Sequence, residues 1–294
     1  MNCPACQSSD TEKSGIIHKF KYPLHISKCK RCSTSFQDPL PKDPDAYYDK
    51  AYYNGTADFS YTDERKFFQG AQHVWKARLK KIHSYVKEGK FLDVGCSFGG
   101  FAYTAGKYYD SYGLDISQFA IESAYEYLSQ KTGEVPVLKK GQLTNFPKKS
   151  FPQNGFSIIT MIEVIEHLKN PKKHIEKAYE LLKPGGVLVI QTANMEARQA
   201  QRQGLDYHYF LPGHCTCFSA TGLQEMLSQT GFQHFQSFIP VDFGLLPKLR
   251  KMKTQFNHPL DALKWIRTSL YHFKSYFRYK GIPLTSSYVL YAFK

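Results

Sequence analysis

Phe91-Leu92-Asp93-Val94-Gly95-Cys96-Ser97-Phe98-Gly99-Gly100-Phe101 runs an apolar strand straight into a glycine-rich turn and then into a helix. Gly95, Gly99 and Gly100 have no Cβ, so the backbone bends sharply there and lets a ligand approach closely, while the following helix offers unpaired N–H groups. Such a turn cradles a nucleotide-like ligand. A second strand, Ser111-Tyr112-Gly113-Leu114-Asp115, ends in an acid about 20 residues beyond the glycines, the spacing at which a carboxylate accepts both hydroxyls of a ribose. A nicotinamide-binding turn reads Gly-x-Gly-x-x-Gly, whereas this one reads Gly-Cys-Ser-Phe-Gly-Gly.

Outward from the turn, apolar strands alternate with helices: Phe91 to Val94, Ser111 to Leu114, Val135 to Leu138, Phe156 to Met161 and Val187 to Thr192. Alternation of this kind predicts a parallel sheet with helices on both faces. Gly231 to Pro240 and Ser286 to Phe293 supply two further strands, and a basic helix is expected over Glu64 to Val86.

These ordered motifs resemble the class I S-adenosylmethionine-dependent methyltransferases from about Tyr47 onward. The resemblance implies an α/β fold, a doubly wound seven-stranded Rossmann-like sheet with two antiparallel strands at its end. It implies S-adenosylmethionine as cofactor, held by Asp93, Gly95, Cys96, Ser97 and Gly99 in the glycine loop. Ser97 stands where the commonest form has glycine. Asp115 with Ile116 matches the ribose-binding edge, Gln142 and Leu143 fall where the family meets the adenine, and Ile162 closes the fourth strand.

Parallel sheets bind ligands at their carboxyl edge, and there the fourth strand runs into Glu163-Val164-Ile165-Glu166-His167. If the chain turns helical after Ile162, positions i, i+3 and i+4 place both carboxylates and the imidazole on one face. Such a trio suits a divalent cation with open coordination positions, and equally a plain general base at His167. The motif resembles that of the ubiquinone-biosynthesis O-methyltransferases. It also resembles that of the small-RNA 3′-end 2′-O-methyltransferases, where a later histidine completes the site and His214 is the closest match. The catalytic candidates are His167, His214 and Glu166; a second-metal set would be Glu163, Glu166, His167 and His214.

The second strong signal is at the start of the chain. Cys3-Pro4-Ala5-Cys6 and Cys29-Lys30-Arg31-Cys32 are two Cys-x-x-Cys knuckles about a short strand-like stretch, among seven cysteines in all. Two such knuckles bring four thiolates to the corners of a tetrahedron, the preference of Zn²⁺, and so short a segment lacks the apolar surface to fold by burial alone. Structural zinc on Cys3, Cys6, Cys29 and Cys32 is expected, with His18 and His25 as spare donors. Cys96, Cys215 and Cys217 read as packing residues.

Asp38-Pro39-Leu40-Pro41-Lys42-Asp43-Pro44-Asp45 is a proline-rich connector that sustains neither a helix nor a central strand. It divides the chain into a zinc ribbon over 1–38, a connector and helical lid over 39–90, and a methyltransferase domain over 91–294. Tyr47, Tyr48, Tyr52, Tyr53, Asn54-Gly55 and Phe59-Ser60-Tyr61 form an aromatic region that either closes over the ligands or packs the two domains together.

A basic helical insertion precedes the last strand. Residues 245–281 carry nine lysines and arginines against the single acid Asp261, a net +8 of the chain's formal +14. Apolar and aromatic side chains interleave with these charges. The insertion is either a solvated cap or a site for an anionic partner: RNA, a membrane surface or a phosphorylated carrier.

With 294 residues and 42% hydrophobic content, the chain can bury one substantial core and a small appendage. No transmembrane span or targeting segment is read, so a cytoplasmic enzyme is expected. The expected reaction is O-methylation of a small hydroxylated acceptor, a sugar or glycan precursor or a metabolite. RNA ribose methylation and a non-catalytic binding role for the same fold are the alternatives.

Overall fold

The computed structural model describes residues 1–43, 47–48, 50–54, 63–145, 152 and 155–294. Pro44-Asp45, Gly55 and Phe59-Ser60-Tyr61 of the connector lie outside the described residues.

Two sheets organise the chain. In the first, β1 (Thr11–Ile17), β2 (Leu24–Cys29) and β3 (Ser35–Gln37) are antiparallel neighbours. The short helix α1 (Lys50–Asn54) and the long helix α2 (Phe68–Tyr85) then lead into the second sheet. The chain continues through β4 (Lys90–Val94), α3 (Gly100–Ala105), β5 (Asp110–Asp115), α4 (Gln118–Thr132), β6 (Val137–Lys140), β7 (Phe156–Ile162), α5 (Pro171–Leu181) and β8 (Leu182–Ala193). It ends with α6 (Arg198–Gln203), β9 (Thr216–Cys217), α7 (Ala220–Thr230), β10 (His234–Phe238), α8 (Leu245–Lys253), α9 (Leu263–Lys274), the small hairpin β11 (Arg278–Tyr279) and β12 (Ile282–Pro283), and β13 (Ser287–Phe293).

The large sheet has the order β10-β13-β8-β7-β4-β5-β6. From β8 to β6 the strands are parallel; β13 pairs antiparallel with β8, and β10 with β13. The doubly wound, seven-stranded sheet is therefore present. Its central strand β7 reads Phe-Ser-Ile-Ile-Thr-Met-Ile and is buried along nearly its whole length, as a strand covered on both faces requires. Two apolar clusters fill those faces: one gathers Leu92, Ile159, Met161, Leu188 and Ile190, the other Phe91, Ile158, Val187 and Val189. The alternating side chains of β4, β7 and β8 thus divide between the two layers.

Local chemistry sets the helix ends. Ser117 and Ser219 cap α4 and α7, with their hydroxyls accepting from Ala120 N and Gly222 N, and both helices stop at glycines in the left-handed region, Gly133 and Gly231. Asn170 caps α5, whose first residue is Pro171.

The N-terminal ribbon is joined to the large unit. β9 comes from the loop region after β8, yet it pairs antiparallel with β3 and so completes the first sheet (Ser35 with Cys217, Phe36 with Thr216). The four knuckle cysteines and Phe36 share a core with Phe218, Leu223, Met226 and Leu227 of the α7 region. Packing there is close enough to require glycine: a Cβ on Gly222 would meet Thr34 Oγ1 at 2.5 Å and Cys32 Sγ at 3.0 Å. Among the described residues no helix is long and apolar enough to cross a membrane.

Candidate functional site

The loops at the carboxyl ends of β4, β5, β6 and β7 surround a cavity of about 1310 Å³. Gly95, with φ of 73°, turns the chain out of β4, and a Cβ there would strike the Val164 side chain at 2.5 Å. Ser97 holds a left-handed φ of 48°, which glycine would adopt without strain. Its hydroxyl is buried with no partner among the described residues, although it belongs to the cavity wall. A buried orphan of this kind in an open cradle fits a polar ligand group.

Asp115 closes β5. Its carboxylate accepts from Ser97 N at 2.8 Å, from Ser117 N at 2.9 Å and from the Tyr53 hydroxyl at 3.4 Å. Burial pushes its pKa up, and the Ser117 and Ser97 N–H groups pull against that rise. Asp93 is buried more completely, with the Thr160 hydroxyl donating to it at 2.6 Å, and burial pushes it up to about 7. Ile116, Gln142, Leu143 and Ile162 line the same cavity. Cys96 lies in its wall, but the thiol packs in the core beside Gly113, so its backbone is the part nearest a ligand. Tyr48, Tyr52 and Tyr53 of the connector also stand in the cavity wall.

Beyond the glycine loop, Glu166, His167 and His214 each bring one ligand-capable atom to within 4.8 Å of the others. Glu163 does not join them. β7 runs to Ile162, Glu163 N donates to Gln191 O at 2.9 Å, and Glu163 then takes a left-handed φ of 55°. The chain next makes a single 3-10 turn, Ile165–His167, so the expected common helical face does not form. Glu163 is exposed and is held by Gln191 Nε2 at 2.6 Å and by the Tyr209 hydroxyl at 3.0 Å.

The cluster itself is tightly oriented. Glu166 is fully buried and accepts from the Thr192 hydroxyl at 3.1 Å and from the Tyr209 hydroxyl. His214 donates through Nδ1 to Tyr209 O at 2.7 Å. His167 donates through Nδ1 to Gly213 O at 3.2 Å, with the Tyr48 hydroxyl against the same nitrogen. Because a carbonyl can only accept, the His214 ring carries its proton on Nδ1 and keeps a lone pair on Nε2, while Nδ1 of His167 faces both a carbonyl and a hydroxyl. Burial pushes Glu166 well up, holds His167 down at about 4 and holds His214 well below the ordinary imidazole range, with His167 adding to the effect on His214. Two neutral imidazoles and a desolvated carboxyl can take up a proton or share a divalent cation.

His214 owes its position to the ribbon. Gln37 Nε2 donates at 2.9 Å to both Pro212 O and His214 O and lies 3.3 Å from Leu211 O, while Gln37 N donates to Cys215 O at 3.0 Å. Cys215 donates its thiol to His167 O at 3.4 Å. Gln37, Tyr209 and Thr192 carried no signal in the sequence, because each acts through a partner far away along the chain.

In the ribbon, the sulfurs of Cys3 and Cys32 are 3.6 Å apart and those of Cys6 and Cys29 are 3.5 Å apart, with all four sulfurs within 4.8 Å. A tetrahedral Zn²⁺ with bonds of about 2.3 Å needs separations of about 3.8 Å, so the donor set fits that ion. The Cys3 thiol draws Cys32 down to about 4, with Thr34 adding to the effect, so anionic sulfur is already favoured at one corner.

The remaining wall comes from the insertion. α8 and α9 contribute Lys248, Met252, Ile266, Arg267 and Lys274 to the cavity. Burial lowers Lys248 to about 8, with Arg78 adding to the effect. Arg78 is buried and paired with Asp242 at 3.0 Å.

Residues 67–237 match the family model for a methyltransferase domain. A ubiquinone biosynthesis O-methyltransferase from Coxiella burnetii is 26% identical over 216 residues, spanning 68% of this chain and 77% of that protein. A sterol 24-C-methyltransferase from Neurospora crassa is 33% identical over 108 residues, covering 35% of this chain. The chain spans only 27% of that relative's length. Among solved structures, phosphoethanolamine N-methyltransferase 2 from Haemonchus contortus, in complex with phosphomonomethylethanolamine and S-adenosylhomocysteine, aligns with a TM-score of 0.56 at 13% identity. That alignment covers 95% of this chain and 70% of the other, and it shows a shared fold. With the family matched across more than half of its length and the glycine cradle in place, the chain belongs to the methyltransferase-domain family and is an S-adenosylmethionine-dependent methyltransferase.

Proposed function

We propose that the enzyme methylates a hydroxyl oxygen of a small acceptor, a sugar or glycan precursor or a metabolite. The observation that carries this is the cluster of Glu166, His167 and His214 beside the cofactor cradle. A neutral amine attacks with its free lone pair and needs no base, whereas an alcohol must lose its proton during attack or shortly after it. The similarity to an O-methyltransferase over 68% of the chain points the same way.

Bound S-adenosylmethionine would supply an electrophilic methyl carbon on a sulfonium, its C–S bond breaking as the acceptor oxygen bonds to that carbon, with S-adenosylhomocysteine as the leaving group. Asp115 takes the ribose hydroxyls, Gln142 and Leu143 flank the adenine, and Asp93 supplies negative charge to a cationic ligand. Nε2 of His167 accepts the hydroxyl proton, and the Glu166 carboxyl stabilises the imidazolium. His214 completes the wall opposite. Incubating the enzyme with methyl-labelled S-adenosylmethionine and a metabolite extract should yield a product heavier by one labelled methylene unit, with the label on oxygen by NMR. A label on carbon or nitrogen would overturn the assignment.

The oriented cluster also favours a metal-assisted variant. Both histidines already donate their other nitrogen to a carbonyl, the support that ligating histidines usually have. Glu166, His167 and His214 would hold a divalent cation, which would lower the acceptor's pKa.

Asp93 gives a pH prediction. Its pKa stands at about 7, so it is neutral below that pH and anionic above it. A cationic cofactor prefers the anion, hence S-adenosylmethionine affinity should rise about tenfold between pH 6 and pH 8. Calorimetry at the two pH values checks this, and Asp93→Asn should flatten the dependence. A flat wild-type profile would separate Asp93 from cofactor binding.

The ribbon should hold structural zinc on Cys3, Cys6, Cys29 and Cys32, close to one equivalent per chain by elemental analysis. Metal-free protein with an ordered ribbon would contradict it.

A further inference from the structure

Large apolar side chains are exposed mainly in one place. Of the 16 exposed large hydrophobic residues among those described, nine fall between Leu246 and Tyr279, in the basic insertion. Leu263, Ile266, Leu270 and Phe273 recur at helical spacing along α9, Phe277 continues the stripe, and each of the five is between 48% and 60% exposed. A core-facing stripe would be covered, and this one faces outward. Lys264, Arg267 and Lys274 form the adjoining row on the same helix. Arg250, Lys253, Arg267, Lys274 and Lys280 make no ion pair among the described residues. Leu263, Ile266 and Leu270 also line the cavity, so the stripe begins at its mouth.

We propose that α8 and α9 form a docking surface for an anionic phospholipid bilayer, which seats the mouth of the active-site cavity against the membrane. Aliphatic and phenyl side chains enter the headgroup boundary while the flanking cations meet acidic lipid, the arrangement of interfacial helices that lie on a membrane without crossing it. Nucleic acid would account for the cations alone, because exposed leucine and isoleucine offer it little. A second copy of the chain would account for the apolar stripe, but it would bring two cationic rows together. A bilayer rich in acidic headgroups accounts for both features and for their place beside the cavity, through which an acceptor held in the lipid surface would enter.

Sedimentation with vesicles tests this without any acceptor. The full-length enzyme should bind vesicles of phosphatidylcholine mixed with phosphatidylglycerol at least about tenfold more tightly than pure phosphatidylcholine, and high salt should release much of it. Phe273→Glu and Phe277→Glu lie on the exposed stripe and outside the cavity wall, and each should weaken binding about tenfold or more while S-adenosylmethionine affinity by calorimetry stays unchanged. Trp265 on α9 should be quenched by brominated lipid in the unmodified protein, a readout that needs no variant. No preference for acidic vesicles would overturn the proposal. So would binding to RNA that displaces the vesicles and ignores both substitutions, or a dimer in sedimentation velocity that Phe273→Glu splits while vesicle binding persists.

Discussion

Replacing His167 with alanine is expected to lower the rate of methyl transfer by about two to four orders of magnitude while leaving S-adenosylmethionine affinity nearly intact. The imidazole belongs to the group with Glu166 and His214, whereas Asp115, where the adenosyl group would rest, is held by Ser97 N and Ser117 N. It is neutral throughout the physiological range, because burial holds its pKa down at about 4. His214→Ala should act in the same direction. Glu166→Gln distinguishes two chemistries: with a plain base it costs part of the rate, whereas with a bound cation it removes an anionic ligand. In the second case a chelator should inhibit the wild type under conditions too mild to strip an ion from the four-cysteine cluster. Full activity in the His167 variant, with calorimetry confirming a normal cofactor site, would refute both roles.

Asp115→Ala is expected to weaken S-adenosylmethionine binding by more than about tenfold. A carboxylate that accepts ribose hydroxyls contributes charge-assisted hydrogen bonds of about 1.5–3 kcal/mol each. It also fixes the cradle, since Ser97 N at 2.8 Å and Ser117 N at 2.9 Å both donate to it. Asp115→Asn should keep part of the loop geometry and lose less. Titration calorimetry decides, and unchanged affinity in the alanine variant would detach Asp115 from the cofactor.

The fold was legible in the sequence because its determinants are local: apolar runs the length of a strand, glycines where the chain must turn left, and an acid at a fixed distance beyond them. Local spacing likewise pointed to the four cysteines. Glu163 shows where local spacing stops being a guide. Three-and-four spacing promised a helical face, but pairing of β7 with β8 extends the strand to Ile162 and leaves Glu163 left-handed. Gln37 shows the complementary limit. A glutamine after a Cys-x-x-Cys knuckle has no pattern around it, and its meaning comes from carbonyls at positions 211–214 that only the tertiary fold brings near. The insertion was visible as a basic amphipathic segment, but its place in the cavity wall depends on α8 packing over α2, a contact separated by more than 150 residues of sequence.

The strand that β9 lends to the ribbon bears on how the molecule melts. A connector rich in proline invites the picture of two units that open independently, the ribbon expected over 1–38 being one of them. Loss of β1 to β3 would instead leave β9 an unpaired edge and strand the carbonyls of Leu211, Pro212 and His214 without their donor. Unfolding of the first 38 residues should therefore drag the His214 loop with it, and calorimetric melting should show one cooperative transition instead of two. A fragment beginning at residue 39 would then be less stable than the sheet alone predicts, and its His214 loop would be the first part to fray.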